Sequence, residues 1–151
     1  MSSISALNDL IHLDMDAIKA YDQAIKACEH PVVAEQLRKF QADHSRHVTD
    51  LSKELTTLGE KPDARTDLKG FFIEKFTAIT SRGTRSALMS MMGNEQLTTS
   101  RYKAALELQD IPETAKAVVR TNYADEQRHL AWIKDALEKK IWEGQGASAH
   151  R

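Results

Sequence analysis

Apolar residues recur at every third or fourth position along four segments of this chain, which is the period of an amphipathic α-helix. Ser3 or Ser5 is the expected cap of the first segment. Pro31 and Pro112 suit the first position of a helix, and Gly59 suits the end of one. The pattern therefore predicts four helices, which cover residues of about 4–28, 31–58, 84–109 and 112–142.

These helices pair into two hairpins, of about 4–58 and 84–142, with a connector over 59–83. A connection of this length lets the second and third helices run parallel, with one crossover. Within the connector, residues 67–80 carry apolar side chains at helical spacing, which predicts a short extra helix packed on the bundle. The alternative is a contact surface for a second copy of the chain or, less favoured, for a membrane surface. The predicted fold class is an all-α four-helix bundle over residues 1–143.

The composition agrees with one helical domain, because the 151 residues include only three Pro and six Gly. A formal net charge of −1 gives no reason to expect a nucleic-acid partner, and no apolar run approaches a membrane span. The single Cys28 fits a reducing compartment. No signal peptide is evident, so we expect a cytoplasmic protein with no membrane partner. Residues 144–151 lack periodicity and are predicted to be disordered.

Each predicted apolar stripe is interrupted near its middle by ionisable residues. A buried carboxylate is costly unless something compensates its charge. Three carboxylates and three imidazoles that converge at one level can compensate one another or share metal. We therefore expect these side chains to meet in one internal pocket: Asp14, His44, His47, Glu95, Glu126 and His129.

An internal repeat supports this convergence. The hexapeptide A-D-H-S-R-H at 42–47 returns as A-D-E-Q-R-H at 124–129. The second copy contains Glu126-x-x-His129, whose side chains are one helical turn apart and can reach one metal ion. The two hairpins are thus predicted to be related by duplication, with His44 at the position that corresponds to Glu126.

Tyrosines repeat with the same spacing. Tyr21 follows Asp14 by seven residues, and Tyr102 follows Glu95 by seven residues. We predict that both tyrosines lie in the core with hydrogen-bonded hydroxyl groups. Met89, Met91 and Met92 are also assigned to core or near-core packing.

On these residues the chain resembles the ferritin-like di-iron carboxylate superfamily, which includes rubrerythrins and bacterioferritins. Its pattern is Glu on helix 1, Glu-x-x-His on helix 2, Glu on helix 3 and Glu-x-x-His on helix 4. Glu95, Glu126 and His129 match directly. His47 matches the helix-2 histidine, and Asp14 takes the place of the helix-1 glutamate.

The resemblance extends over residues 5–142 apart from the connector, and it is nearest to small, uncharacterised bacterial ferritin-like proteins. It implies a metal site formed by the six ionisable residues. Asp125 and Arg128 fit the longer D-E-x-R-H signature. The resemblance implies that they, and by analogy Asp43 and Arg46, orient the metal-binding imidazoles.

His44 departs from the family pattern, because it stands where the family has a carboxylate that usually bridges two irons. A carboxylate has two oxygens and can span two metals, whereas a neutral imidazole has one free lone pair. Three alternatives remain for this one site: a dinuclear metal site bridged by Glu126 alone, a mononuclear metal site, or a metal-free hydrogen-bonded network. A hydrogen bond from His44 to Glu126 would favour the network.

Two functions follow from these alternatives. The resemblance implies a metal-binding protein of oxidase or peroxidase type, which oxidises Fe(II) with dioxygen or peroxide and forms a homo-oligomer, most simply a dimer. One or two iron ions are the expected cofactor, with zinc, manganese or no metal as alternatives. The other function is a metal-free bundle with a structural or protein-interaction role, such as stress-related assembly, that uses the connector helix as its contact surface.

Overall fold

The structure, a computed structural model, describes residues 2–62 and 83–143. Within these ranges the chain forms four α-helices and one short 3₁₀ turn, and it has no strand. The helices are α1 (Ser3–Ala27), α2 (Pro31–Thr57), α3 (Thr84–Leu106) and α4 (Glu113–Glu138), and the 3₁₀ turn spans Ile141–Glu143. The four-helix prediction is confirmed. The predicted connector helix (67–80) and the predicted disordered tail (144–151) lie outside the described residues.

The helix ends follow local chemistry. The side chain of Ser2, not Ser3 or Ser5, caps α1 by accepting a hydrogen bond from the backbone N–H of Ser5 at 3.1 Å. Beyond α2, Gly59 adopts a φ of +80°, and its N–H donates to the Thr56 carbonyl. This left-handed residue satisfies the last carbonyls of the helix, as a glycine at this position commonly does.

Each helix packs mainly on two others: α1 on α2 and α3, and α4 on α3 and α2. The start of α3 lies beside the end of α1, because the N–H of Gly83 donates to the Ala27 carbonyl at 2.8 Å. Since α2 also starts beside the end of α1, α2 and α3 begin at the same end of the bundle and run parallel. This is the single-crossover arrangement that the long connector predicts.

Two apolar layers fill the bundle, one towards each end. One layer centres on Leu10, Ile11, Leu51, Leu55 and Val119. The other contains Ala17, Ala20, Leu37, Phe40, Leu88, Met91 and Ile133. Between the layers lies a level of buried polar side chains that water does not reach.

The assignment of Met89 to the core is wrong, since its side chain is 43% exposed. Leu88 and Met91 lie on the face of α3 that is turned to the interior of the bundle, and Met89 lies next to that face on the exposed side. No helix in the described ranges has the length and apolar character that a membrane crossing requires.

The core layers can be tested by truncation. Leu51 is fully buried in α2, whereas Leu97 on α3 is 45% exposed. We expect Leu51→Ala to lower the free energy of unfolding by about 2–5 kcal/mol, because it removes buried methyl groups and leaves a cavity. Leu97→Ala, the matched control, should change it by less than about 0.5 kcal/mol. Urea denaturation followed by circular dichroism measures both, and equal effects would contradict the assigned core.

Candidate metal centre

All six predicted ionisable residues lie at the polar level of the bundle, and none is exposed. α1 and α3 supply one carboxylate each, and α2 and α4 supply two residues each at i, i+3 spacing. That spacing places both side chains on one helix face. The structure thus brings together Asp14, His44, His47, Glu95, Glu126 and His129.

His44 occupies the middle of this cluster. Its Nδ1 lies 2.7 Å from Asp14 Oδ1, and its Nε2 lies 2.9 Å from Glu95 Oε2. Its ring centroid is 5.5 Å from that of His47 and 5.3 Å from that of His129. The distance from His44 Nδ1 to Glu126 Oε1 is 3.6 Å, which is too long for a hydrogen bond. The hydrogen bond that would favour a metal-free network is therefore not formed.

His47 has one nitrogen towards the centre of the cluster and one away from it. The inner Nδ1 lies 3.0 Å from Asp14 Oδ1 and 3.2 Å from Glu126 Oε1. The outer Nε2 lies 2.9 Å from Asp125 Oδ2. Because the Nε2–H donates to Asp125, the ring orientation is set and Nδ1 remains the atom that can bind a cation.

His129 repeats this arrangement on the opposite side. Its Nδ1 lies 3.2 Å from Glu95 Oε2, and its Nε2 lies 2.8 Å from Asp43 Oδ2. The two outer carboxylates are exchanged between the hairpins: Asp43 of α2 orients the histidine of α4, and Asp125 of α4 orients that of α2. The outer partners implied by the resemblance are thus present, each across the helix interface.

Two arginines hold these outer carboxylates. Arg128 donates to Asp43 at 2.9 Å and to Asp125 at 3.0 Å. Arg46 donates to Asp43 at 3.2 Å and also contacts Asp125. Burial opposes ionisation of Asp125, but hydrogen bonds from His47 and Arg128 lower its pKa below the usual range. Burial also opposes ionisation of Asp43, but hydrogen bonds from His129 and Arg128 lower its pKa. Both outer carboxylates therefore remain charged at neutral pH and accept from the imidazoles.

Each tyrosine also bonds the carboxylate of the other hairpin. Tyr21 of α1 donates to Glu95 of α3, and Tyr102 of α3 donates to Asp14 of α1. Asn122 of α4 donates to the Tyr102 hydroxyl at 3.2 Å. Burial, followed by the charge of the neighbouring carboxylate, raises the pKa of both phenols. Both tyrosines therefore stay protonated, and the prediction of core tyrosines with bonded hydroxyls is confirmed.

Glu126 has two oxygens in different environments. Oε2 accepts a 2.6 Å hydrogen bond from the Thr98 hydroxyl, whereas buried Oε1 accepts none, although His47 Nδ1 is nearby. Burial raises the pKa of Glu126 to about 8, against the lowering effect of His44. An unpartnered buried oxygen is costly, so this atom is where a cation would fit.

The charges of the other inner groups compensate one another. Burial opposes the charged form of His47, but the Asp14 carboxylate and hydrogen bonds raise its pKa to about 10. Burial likewise opposes a charge on His44, yet Glu126 and Glu95 raise its pKa well above the usual value. The pKa of Glu95 is lowered despite burial, chiefly by His44. The pocket without metal thus pairs two carboxylates with two imidazolium ions.

The ligand atoms fall into two overlapping groups, in each of which all atoms lie within 4.8 Å of one another. The groups are Asp14, His44, His47 and Glu126, and His44, Glu95, Glu126 and His129. Both contain only nitrogen and oxygen donors, a set that suits iron, zinc or manganese. Two adjacent positions that share His44 and Glu126 could hold a divalent ion each.

The roles of Thr98 and Asn122 were missed in the sequence analysis. Both lie on inward stripes between apolar residues, at 1% exposure. A polar residue on such a stripe signals a buried hydrogen bond, but the stripe alone does not identify its partner.

Comparisons with solved structures reveal the same fold. The bacterioferritin-related protein from Bacteroides fragilis, described as a dodecameric thioferritin, has a TM-score of 0.82 and 18% identity, covering 93% of this chain and 86% of that one. Dps92 from Deinococcus radiodurans has a TM-score of 0.71 and 12% identity, and the match covers 89% of this chain and 85% of Dps92.

A third similar structure is a two-domain protein from Anabaena variabilis with DJ-1/ThiJ/PfpI-like and ferritin-like domains. The TM-score is 0.74 at 15% identity; the match covers 92% of this chain but only 36% of that protein. These likenesses establish a ferritin-like four-helix bundle.

At the level of sequence, no curated protein matches the chain. One family profile does, over residues 2–108, which include α1, α2 and α3. The chain therefore belongs to the family described as a domain of unknown function, DUF2383, and it has the ferritin-like fold.

Proposed function

We propose that this bundle binds divalent metal, iron above all, at the polar level between its two apolar layers. The observation that carries the proposal is the pair of overlapping ligand groups that share Glu126, whose buried Oε1 lies 3.2 Å from His47 Nδ1 without a well-oriented hydrogen bond. Buried oxygens are normally well bonded, and a cation held by these groups would give Glu126 Oε1 a partner of that kind.

Two metal positions would use the repeat-related residues. Asp14 and His47 would serve one position, Glu95 and His129 the other, and Glu126 is within reach of both. Metal binding displaces protons, because an imidazole or carboxylate must be deprotonated to act as a ligand. Glu126, with a pKa of about 8, would lose its proton on binding, and His47 would lose the one on Nδ1.

Bound iron would supply the redox chemistry, oxidation of Fe(II) by dioxygen or peroxide. The surrounding residues bind and orient. Tyr21 and Tyr102 hold the carboxylates by phenol hydrogen bonds, and Asp43 and Asp125 hold the imidazoles. The apolar layers exclude bulk water, which strengthens each electrostatic contact within the pocket. We further propose that the protein is bacterial and cytoplasmic and that it forms a homo-oligomer. The dodecameric state named for the Bacteroides protein supports the oligomer.

A second candidate function, a metal-free bundle with a structural or interaction role, is favoured by one observation. Without metal, His44 already bonds both Asp14 and Glu95, and the charges in the pocket nearly cancel. A well-satisfied polar network can persist as a structural feature. Metal content separates the two candidates.

Removal of the Glu126 charge tests the metal site. We expect the wild-type protein, loaded with Fe(II) without oxygen and desalted, to retain about two ions per chain, as two-metal sites do. Glu126→Gln keeps the shape but removes a ligand charge, so it should retain less than about a tenth of this iron. Elemental analysis gives the ratio.

The matched control is Glu138→Gln, an exposed position on the same helix, which should retain wild-type iron. Equal iron in Glu126→Gln and wild type would exclude Glu126 as a ligand. A wild-type protein that retains no iron, zinc or manganese would favour the metal-free function.

The outer carboxylates can be tested in the same way. Asp125→Asn removes the charged acceptor of His47 Nε2–H, and loss of such a partner weakens metal binding about 10- to 100-fold. Asp135→Asn, on the exposed surface of the same helix, is the control and should leave the affinity unchanged. Competition with a chromogenic chelator measures the dissociation constants. Equal constants for the two variants would show that Asp125 does not support a ligand.

The pH dependence of stability tests the protons that metal would displace. His47 and Glu126 have folded-state pKa values raised to about 10 and about 8, so their stabilising contribution is fully present below their ordinary values and lost as pH rises through the raised ones. The melting temperature of chelator-treated protein should therefore fall between about pH 7 and pH 10. Iron-loaded protein should show a smaller fall, because the metal has replaced these protons. A flat or rising profile without metal would contradict these charge states.

A further inference from the structure

His44 breaks the symmetry between the two hairpins. The repeat places it opposite Glu126, so the pocket has an imidazole on one side where the other side has a carboxylate. The other inner pairs keep their chemistry: Asp14 corresponds to Glu95, and His47 to His129. The difference therefore lies at the pair of positions that both candidate metal groups share.

The two nitrogens of His44 face different metal positions. Nδ1 lies 2.7 Å from Asp14 Oδ1, and Nε2 lies 2.9 Å from Glu95 Oε2. The ring is nearly equidistant from the two flanking imidazoles, at 5.5 Å from His47 and 5.3 Å from His129. Each nitrogen thus points at the carboxylate that would bind one of the two ions.

We propose that His44 links two divalent ions, with Nδ1 binding the ion held by Asp14 and His47, and Nε2 binding the ion held by Glu95 and His129. The proposal rests on the metal binding proposed above. Both ring N–H protons leave to solvent, so the linking group is an imidazolate with one lone pair for each ion. This differs from a neutral histidine, which has a single lone pair to offer.

The charges of the pocket support this link. Two divalent ions carry four positive charges, and the three inner carboxylates, Asp14, Glu95 and Glu126, supply three negative ones. An imidazolate at His44 supplies the fourth, and the buried pocket becomes neutral. A neutral His44 would leave one uncompensated charge in a pocket without water, which is costly.

The environment of Glu126 also favours His44 as the link. Its Oε2 accepts a 2.6 Å hydrogen bond from Thr98, which uses one of the two lone pairs of that oxygen and holds the carboxylate in place. Its free Oε1 lies towards His47, at 3.2 Å from Nδ1. The imidazole ring, in contrast, already reaches both sides of the pocket.

The link predicts a particular distance between the ions. Metal–nitrogen bonds of about 2 Å on opposite nitrogens of one ring place the ions about 6 Å apart. Ions in sites of the common two-metal type lie about 3.5–4 Å apart. Crystals of the zinc-loaded full chain, measured with anomalous scattering, determine this distance directly.

We expect two zinc peaks about 6 Å apart in the wild-type protein, with the His44 ring between them. In His44→Glu a carboxylate replaces the ring, and the separation should shorten to about 3.5–4 Å. In His44→Gln the amide side chain offers one ligand oxygen, so it cannot bind both ions. The second zinc should then bind at least about tenfold more weakly in solution.

A short separation in the wild type, a single zinc, or an unchanged separation in His44→Glu would overturn the link while metal binding stands. Absence of zinc and of every other metal from the wild type would overturn the link and the proposed function together. If His44→Glu does not fold, as judged by circular dichroism, the wild-type separation and the zinc affinity of His44→Gln decide the question.

Discussion

Compensation of buried charge is the constraint on which this bundle depends. Six ionisable side chains lie between two apolar layers, where an isolated carboxylate or imidazolium would be severely destabilising. Their positions therefore cannot be chosen independently. Asp14 needs His44, His47 and Tyr102, and Glu95 needs His44, His129 and Tyr21. The helices must pack at the height that satisfies these contacts, so the polar level helps to set the register of the apolar layers.

The outer carboxylates extend this constraint to the surface. Asp43 and Asp125 connect the buried imidazoles to Arg46 and Arg128, whose side chains are about half exposed. Exposed ion pairs add little stability by themselves. Here their role is orientation, because they keep the carboxylates charged and fixed against Nε2 of each ring. The pocket is thus joined to solvent by hydrogen bonds without being open to it.

The sequence predicted the helices and the polar level well, since period and burial both follow from the apolar stripes. It overextended the third helix to about Gln109, whereas α3 ends at Leu106, because residues 107–109 contain no helix-stopping residue. Met89 was wrongly assigned to the core because each residue turns the helix by about 100°, which moves Met89 away from the buried face that contains Leu88. Contacts between neighbouring helices, such as that of Thr98 with Glu126, could not be predicted, because they depend on the relative height of the two helices. The metal-binding role of the six residues stays a proposal.

The exchange of partners between the hairpins has a consequence for how the molecule assembles. Tyr21 of the first hairpin satisfies Glu95 of the second, and Asp43 of the first satisfies His129 of the second, with the reciprocal contacts on the other side. Neither duplicated half is self-sufficient, because each would bury charges whose counterparts belong to the other. Cooperative folding of the whole bundle follows, since one hairpin cannot bury its charged stripe before the other hairpin supplies the counterparts.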